Sequence, residues 1–478
     1  MLNLNKQLKI SYFSGIYDTV IPKNHLLRKI AENIDFSFVN KLMKKCYCIA
    51  FGRPAYEPEL MLKILFLKLL YDLSDREVIS RCQTDMAFKF FLGIDPEDDV
   101  PEASLLAKFR TLRITEEELQ EFLNETVKQA LDNNIIKSKT IIVDSTHSRS
   151  KHTPQTPSQI LREMTKNLRK EIHRTQNEIS NVFPEKPSVE DDIFEEIDYT
   201  KALVEVLKNV DLKSEKAQKL LIKVQNTLEL PNLVELQSVN DEDAKIGHKS
   251  EDNDFFGYKN HIAMTEEGII TGLTVTNGTA ADNKEFENII NQTLDNGIEV
   301  KDIAGDKAYS TSDILKFGIE KNINIISKLK ENVGSKEFND EYVSFNKDAD
   351  TYECKNGCLA KKNKVRKNGS IGYSFYRTDC EKCPFAKECL VNINEGYKRI
   401  LQNVNHQIFE EHRIFEETEH FKEKSKIRWK IEQRNSHLKN RYGLERTYGT
   451  GIWSMKAQSF LTAFTANIIK ITKLVAIV

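Results

Sequence analysis

The stretch KTIIVDST, Lys139 to Thr146, decides the architecture of this chain. Three β-branched apolar residues in a row, followed at once by Asp-Ser-Thr, read as a short buried strand with a polar C-terminal tip. Asp144 stands at that tip. Upstream, the sequence has the period of helices. Apolar residues recur at helical spacing in EPELMLKILFLKLLYDL (57–73), and Ser74-Asp75 is a turn and N-cap for a following helix. Ser104 starts another, with LLAKFRTLR behind it. Short helices with tight turns, carrying Arg81, Lys89, Lys108 and Arg110, fit a helix-turn-helix-like DNA reader. They also fit a plain helical bundle, the reading that residues 1–135 alone favour.

Downstream, helical spacing returns from 155 to 235. Met164, Leu168, Ile172 and Ile179 form one stripe, and Leu203, Leu207, Leu220, Leu221, Val224 and Leu228 continue it. An acidic, proline-containing stretch, 184–198, separates the two arms, so a long helical hairpin is expected. Strands resume as GYKNHIAMT and GIITGLTVT (257–276), with Glu267-Gly268 as the turn. A helix over 283–295, capped by Asp282, precedes IEVKDIAGD (298–306), a strand ending in Asp306. Then follow a helix at 311–320, a strand INIISK (323–328), a mixed segment 330–420, a basic helix over 424–441 and an amphipathic closing helix, MKAQSFLTAFTANIIKITKL.

Without its insertions this order makes a mixed sheet of about five strands behind a helical N-terminal region, an α+β or α/β fold. The expected domains are 1–135, helical and DNA-binding; 136–154 with 240–329 and 421–478, catalytic; 155–239, the hairpin insertion; and 330–420, a cysteine-bearing insertion.

The 478 residues are 40% hydrophobic and 30% charged, ordinary globular composition. No run of ~18 apolar residues exists to span a membrane. The first residues, MLNLNKQLKISYFSG, lack the apolar core of a signal peptide, so a reducing cytoplasm is expected. Net charge is −2, but charge is clustered: basic in KKNKVRK (361–367) and KEKSKIRWKIEQRNSHLKNR (422–441), acidic in EDDIFEEID (190–198). Each run also reads as a solvated helix face.

Three acids fall where chemistry on a phosphodiester needs them. Two divalent metal ions ~3.5–4 Å apart can activate a nucleophile and stabilise a leaving oxygen, and hard cations take carboxylate ligands. Asp144 and Asp306 lie at strand ends, and Glu432 lies in a helix. Taken singly, each has a plainer reading. Asp144 and Asp306 can cap turns, Asp302 is a rival to Asp306, and Glu432 can be half of a surface ion pair. On the Glu432 helix, Arg428, Asn435, Ser436 and Lys439 recur at three or four residues and share its face. Arg434 and Arg441 lie beside it, and Trp429 is an aromatic suited to stacking on an unpaired base. One acid for metal among cations for backbone phosphate is the functional reading.

These residues resemble the DDE transposases of bacterial insertion sequences, in the group numbered eleven-eighty-two. IIVDST resembles the first-acid strand, with Asp144. GDKAYS resembles the second, with Asp306 and with Lys307 and Tyr309, which the resemblance makes expected DNA contacts. The signature Y-x2-R-x3-E-x6-K is matched by Arg428, Glu432 and Lys439, while Ser425 stands at its Tyr position. DEDAKIGHK (241–249), FFGYKNH (255–261), YGLERTYGTG (442–451) and GRPAYEPE (52–59) are also similar, so the likeness covers nearly the whole chain. The resemblance implies a ribonuclease-H-like fold and two Mg2+ or Mn2+ ions on Asp144, Asp306 and Glu432. It further implies cleavage at transposon terminal repeats, joining of the 3′-ends to target DNA, and a homodimer across two DNA ends. A nuclease that does not join strands and a catalytically silent DNA-binding regulator are the rival readings.

Of eight cysteines, Cys46, Cys48 and Cys82 lie among helical residues and read as core packing; five fall between 354 and 389. In a reducing compartment such a cluster suggests structural zinc, which takes four thiolates. Cys380-x2-Cys383 is the tight pair, Cys389 follows, and Cys354 and Cys358 lie upstream. Similarity at CKNG, CEKC and KEC makes Cys354, Cys380, Cys383 and Cys389 the expected ligands, with Cys358 to spare. Reduced thiols around a small loop core are the alternative.

Overall fold

The structure, a computed structural model, describes residues 13, 15–48, 54–187, 192–250, 253–330, 341–346, 348–366, 370–389, 397–403 and 405–476. The run read for a signal peptide lies almost wholly outside these residues, as do the start of GRPAYEPE and the last residue of KKNKVRK. The chain divides into two compact units, residues 1–300 with 429–478, and residues 301–428. Among the described residues no helix is long and apolar enough to cross a membrane.

The larger unit is built on antiparallel strands: β1 (Thr140–Arg149), β2 (Lys245–Ser250), β3 (Asn253–Thr265) and β4 (Ile270–Asn277). β3 is central to this set, pairing with β1, β2 and β4. Ile141, Ile142 and Val143 are fully buried, each contributing roughly 1.5–3 kcal/mol of apolar burial. β1 does not stop at the polar tip. It pairs with β3 from Ile141↔Thr265 to Arg149↔Gly257, so Asp144 sits mid-strand and not at its end. The reason is that the polar residues beyond it find partners. Buried Ser148 donates to the Leu444 carbonyl at 2.5 Å and accepts from Asn260 Nδ2 at 2.9 Å. Arg149 N–H donates to the Glu445 carbonyl, and Thr447 N–H to the Arg149 carbonyl.

The N-terminal helices form a bundle packed on the closing helix, Ile452–Val475. Ser74 caps Asp75–Thr84 through a reciprocal capping box with Glu77, satisfying two backbone donors at once. Phe464 of the closing helix meets Phe36 and Phe122 with ring centroids 6.1 Å apart. Its buried Asn467 donates to Thr126 Oγ1 at 2.9 Å and accepts from the Ile270 amide at 2.8 Å, tying bundle to sheet. The insertion expected as a two-armed hairpin has more helices: Pro157–Thr175, Ile193–Lys208, Glu215–Thr227 and the short Leu230–Glu235. Ile193–Lys208 begins inside the acidic stretch, with Asp192 as its cap. Leu161, Leu168, Leu203 and Val224 form a core of its own.

In the smaller unit, β5 (Asp302–Ala304) and β6 (Asn324–Ile326) pair in parallel, with the helix Ser312–Lys321 between them in sequence. A small separate core gathers Val343, Tyr352, Ile371, Tyr373, Phe375 and Ile400. The chain is thus mixed α and β, with a helical N-terminal region and strands of both pairing senses, an arrangement compatible with the expected class.

Candidate active site

Asp144 is half-buried on β1, and its Oδ2 accepts a hydrogen bond from Asn435 Nδ2 at 2.9 Å. Asn435 belongs to the helix Trp429–Tyr442, whose buried face is Ile431, Asn435, Leu438 and Tyr442. Glu432 is exposed in the first turn of that helix, where a carboxylate is favoured by the helix dipole. Asn435 is the functional candidate to which sequence reasoning gave no role. Its three-residue offset from Glu432 was the available signal. Its Oδ1 is buried and has no donor. Carboxylate and amide oxygens are the ligand chemistry a hard cation takes. Among the described residues, however, no three His, Cys, Asp or Glu side chains are grouped closely enough to hold a metal ion.

Lys439, one turn beyond Asn435, lies 3.3 Å from the His147 imidazole and 3.5 Å from Glu445. His147, on β1 three residues past Asp144, stacks on Phe255 at 4.7 Å. Nothing in the sequence marked it. Trp429 is 57% exposed, as a base-stacking residue requires. The basic helix expected over 424–441 is broken. Glu419–Ser425 is one helix, Lys426–Arg428 a 3-10 turn, and Trp429–Tyr442 a second helix. Arg428 is therefore not on the α-helical face of Glu432.

Asp306 belongs to the smaller unit, two residues past β5, and caps the 3-10 turn Lys307–Tyr309 by accepting from the Ala308 amide at 2.9 Å. Position just beyond a parallel strand is where open α/β sheets hold ligands. Its rival Asp302 is buried, accepting from Asn324 at 2.9 Å and lying 2.7 Å from His420. Lys307 is exposed, but Tyr309, expected to touch DNA, is 1% exposed. Its ring is among the largest fully buried side chains, so it packs the core instead.

The N-terminal cations divide in the same way. Lys108 and Arg81 are exposed, with Arg81 over the Tyr71 and Phe88 rings. Lys89 is buried and donates to the Pro96 and Asp98 carbonyls, which makes it a structural staple. Arg110 is held in a two-pronged contact with Asp75, at 3.2 and 3.0 Å. Burial alone would raise the Asp75 carboxyl, but Arg110 and Lys68 outweigh it and hold it low.

The DEDAK and YGTG motifs prove structural. Asp241 is buried and accepts from Tyr258 at 2.5 Å, Ser150 at 2.5 Å and the Gly451 amide at 3.1 Å. Asp243 accepts from the Ile452 amide at 2.8 Å, closing the N-terminus of the closing helix. His261, three residues beyond Tyr258 on β3, is buried, and burial pushes its imidazole toward the neutral form.

The five clustered cysteines all line one small cavity of about 30 Å³ in the smaller unit, with Asp379 and Lys398. Cys354 Sγ accepts from the Cys358 amide at 3.4 Å, and Lys398 Nζ lies 3.6 Å from Cys389 Sγ. Cys82 is buried as expected, but Cys48 is exposed.

A family model described as Transposase DDE domain matches residues 135–468, and one described as Transposase domain (DUF772) matches residues 16–112. The chain belongs to the DDE transposases of insertion sequences. It is also 33% identical over 135 residues to an uncharacterized protein, ORF8 in the nfe locus of Rhizobium meliloti. That match covers 28% of this chain and spans 64% of the relative's length. No solved structure matches.

Proposed function

We propose that this chain is a metal-dependent DNA transposase that cleaves at transposon terminal repeats and joins the freed 3′-hydroxyl to target DNA. The observation that carries the proposal is Asp144 tethered to the Glu432 helix through Asn435, in a chain of the DDE family. Asp144 and Glu432, with Asp306 from the smaller unit, are the residues that would hold two Mg2+ or Mn2+ ions on a ribonuclease-H-like fold. When bound, such ions polarise the phosphate and lower the pKa of a bound water or hydroxyl. Asn435 orients the Asp144 carboxylate through one of its oxygens. Lys439, Arg428 and Lys307 would grip backbone phosphates, and exposed Trp429 would stack on an unpaired base. The N-terminal bundle, through Arg81 and Lys108, would read the terminal repeats, with a homodimer spanning two ends. Asp306→Asn should abolish Mg2+-dependent cleavage of end-containing duplex while leaving end binding within about twofold, since binding rests on phosphates. Full cleavage by that variant would end the proposal.

Zinc at the cysteine cavity is the second cofactor we propose. Five thiols around one cavity exceed what a small apolar core needs, and four thiolates suffice for a structural ion. Cys354, Cys380, Cys383 and Cys389 would be the ligands, drawn closer together by the ion than they lie without it. The Cys358 amide donates to Cys354 Sγ, and Cys358 is the thiol to spare. Freshly purified, reduced protein should carry about one zinc per chain by metal analysis. Cys383→Ser should lose it and Cys358→Ser should keep it; zinc-free wild-type protein would refute the assignment.

A further inference from the structure

The helix that carries Glu432 has a second charged face. Lys430, Arg434, His437 and Arg441 are spaced by four, three and four residues. At about 100° per residue they form one stripe, roughly half a turn from the stripe of Glu432, Asn435 and Lys439, so Arg434 and Arg441, expected beside that stripe, lie opposite it. The closing helix adds Lys470 and Lys473, three residues apart and so on one of its faces. The two sets influence one another electrostatically. Burial and then Arg434, Lys473 and Lys430 push the Lys470 ammonium down, with Glu267 opposing. Burial and then Arg441, Arg434, Lys473 and Lys470 do the same to His437.

Among the described residues, Glu266 and Glu267 are the acids that face this set. Lys430 is paired with Glu266 at 3.0 Å. The Nε and Nη2 atoms of Arg434 are closed off from solvent and meet no acceptor. Burial pushes this guanidinium down to about 10. An unsatisfied buried cation beside further cations is costly, because each desolvated donor lacks its partner and like charges repel. At Gly268, with φ +92, an added Cβ would lie 3.1 Å from Lys470 Cε. His437, Arg441 and Lys473 are exposed, and Lys430, Arg434 and Lys470 are half-buried, so the field of the set reaches solvent.

We propose that this face binds the phosphate backbone of a second segment of duplex DNA, distinct from the strand at Asp144 and Glu432. A polyanion is the occupant that charge complementarity selects, since a run of phosphates can satisfy several fixed cations at once. The separation of the two faces is the geometric reason for a second segment. One helix is about 10–12 Å across, so contacts on opposite sides serve different stretches of backbone. The inference rests on the transposase reading for the identity of the polyanion.

The test uses the full chain and a random-sequence duplex, with affinity measured by fluorescence anisotropy across a salt series. The double variant Lys470→Gln with Lys473→Gln should flatten the log–log salt slope by nearly two units, about 0.9 for each phosphate no longer neutralised. Lys470→Arg with Lys473→Arg should keep the wild-type slope, which separates charge from packing. Lys216→Gln with Lys219→Gln, on exposed lysines of the insertion, makes the same change in net charge and should leave the slope unaltered. A wild-type slope in the first variant, or an equal flattening in the third, would overturn the inference. Cleavage of end DNA, assayed in parallel, reports on the other reading. A wild-type protein that binds duplex through these lysines yet never cleaves would sink the proposed function and leave this surface standing.

Discussion

Asp241 and Asp144 are carboxylates of the same unit, yet their surroundings are opposite. Asp241 is 1% exposed and saturated: a tyrosine, a serine and a backbone amide all donate to it. Asp144 stays half-exposed on the strand that meets the helix of exposed Glu432, with an amide oxygen lacking a donor next to it. The first arrangement spends its lone pairs on the fold, tying β1, β3 and the closing helix together. The second leaves the Asp144 carboxylate half-exposed, with one oxygen held by the Asn435 amide. Burial separates the two: the structural acid is closed in by its donors, and the candidate catalytic one stays half-exposed on its strand.

That contrast can be broken by exchange of the two losses. Glu432→Gln should reduce cleavage by on the order of 10³-fold, the equivalent of ~4 kcal/mol of transition-state stabilisation, without lowering the unfolding midpoint. A cleavage assay beside urea denaturation reads both, and wild-type cleavage would show the third acid misassigned. Asp241→Ala should do the reverse in kind. It strands three donors, so about 3 kcal/mol of stability should be lost in denaturant titration. A loss under ~1 kcal/mol would mean that the saturated site is not a structural clamp.

The smallest effect belongs to Asp75 and Arg110. The folded-state carboxyl of Asp75 is held below its ordinary range. Its contribution is therefore present above the unfolded-state carboxylate range and is lost as pH falls through the folded-state value. Arg110→Ala should cost about 1 kcal/mol near neutral pH and less in acid. A cost that did not shrink on acidification would assign the effect to packing. DNA affinity unchanged by the same variant would confirm that this cation is occupied by the fold.

Much was legible in one dimension. Runs of apolar and β-branched residues located β1, β3, β4 and their turn at Glu267-Gly268, because strands buried on both faces leave a continuous local pattern. The capping box at Ser74 and Glu77 was readable because its partners are three residues apart. The acids Asp144, Asp306 and Glu432 stood out by their element types and their likeness to a known family. Other features depend on partners remote in sequence. β1 runs past Asp144 because Asn260 and the Leu444 carbonyl satisfy Ser148, and no local signal carries that. Tyr309 and Lys89 looked like DNA contacts because sequence gives chemistry without exposure.

The sequence by itself determined the class of the chain, its helical N-terminal region, the strands β1, β3 and β4 and its candidate acids, since these rest on local patterns and short motifs, while β2 went unread. Only tertiary structure decided which polar groups are already used. Asp302 goes to His420, Arg110 to Asp75, Asp241 to the closing helix, and Asn435 to Asp144. A hydrogen bond or ion pair requires atoms about 3 Å apart, and only the folded chain sets that distance for residues hundreds of positions apart.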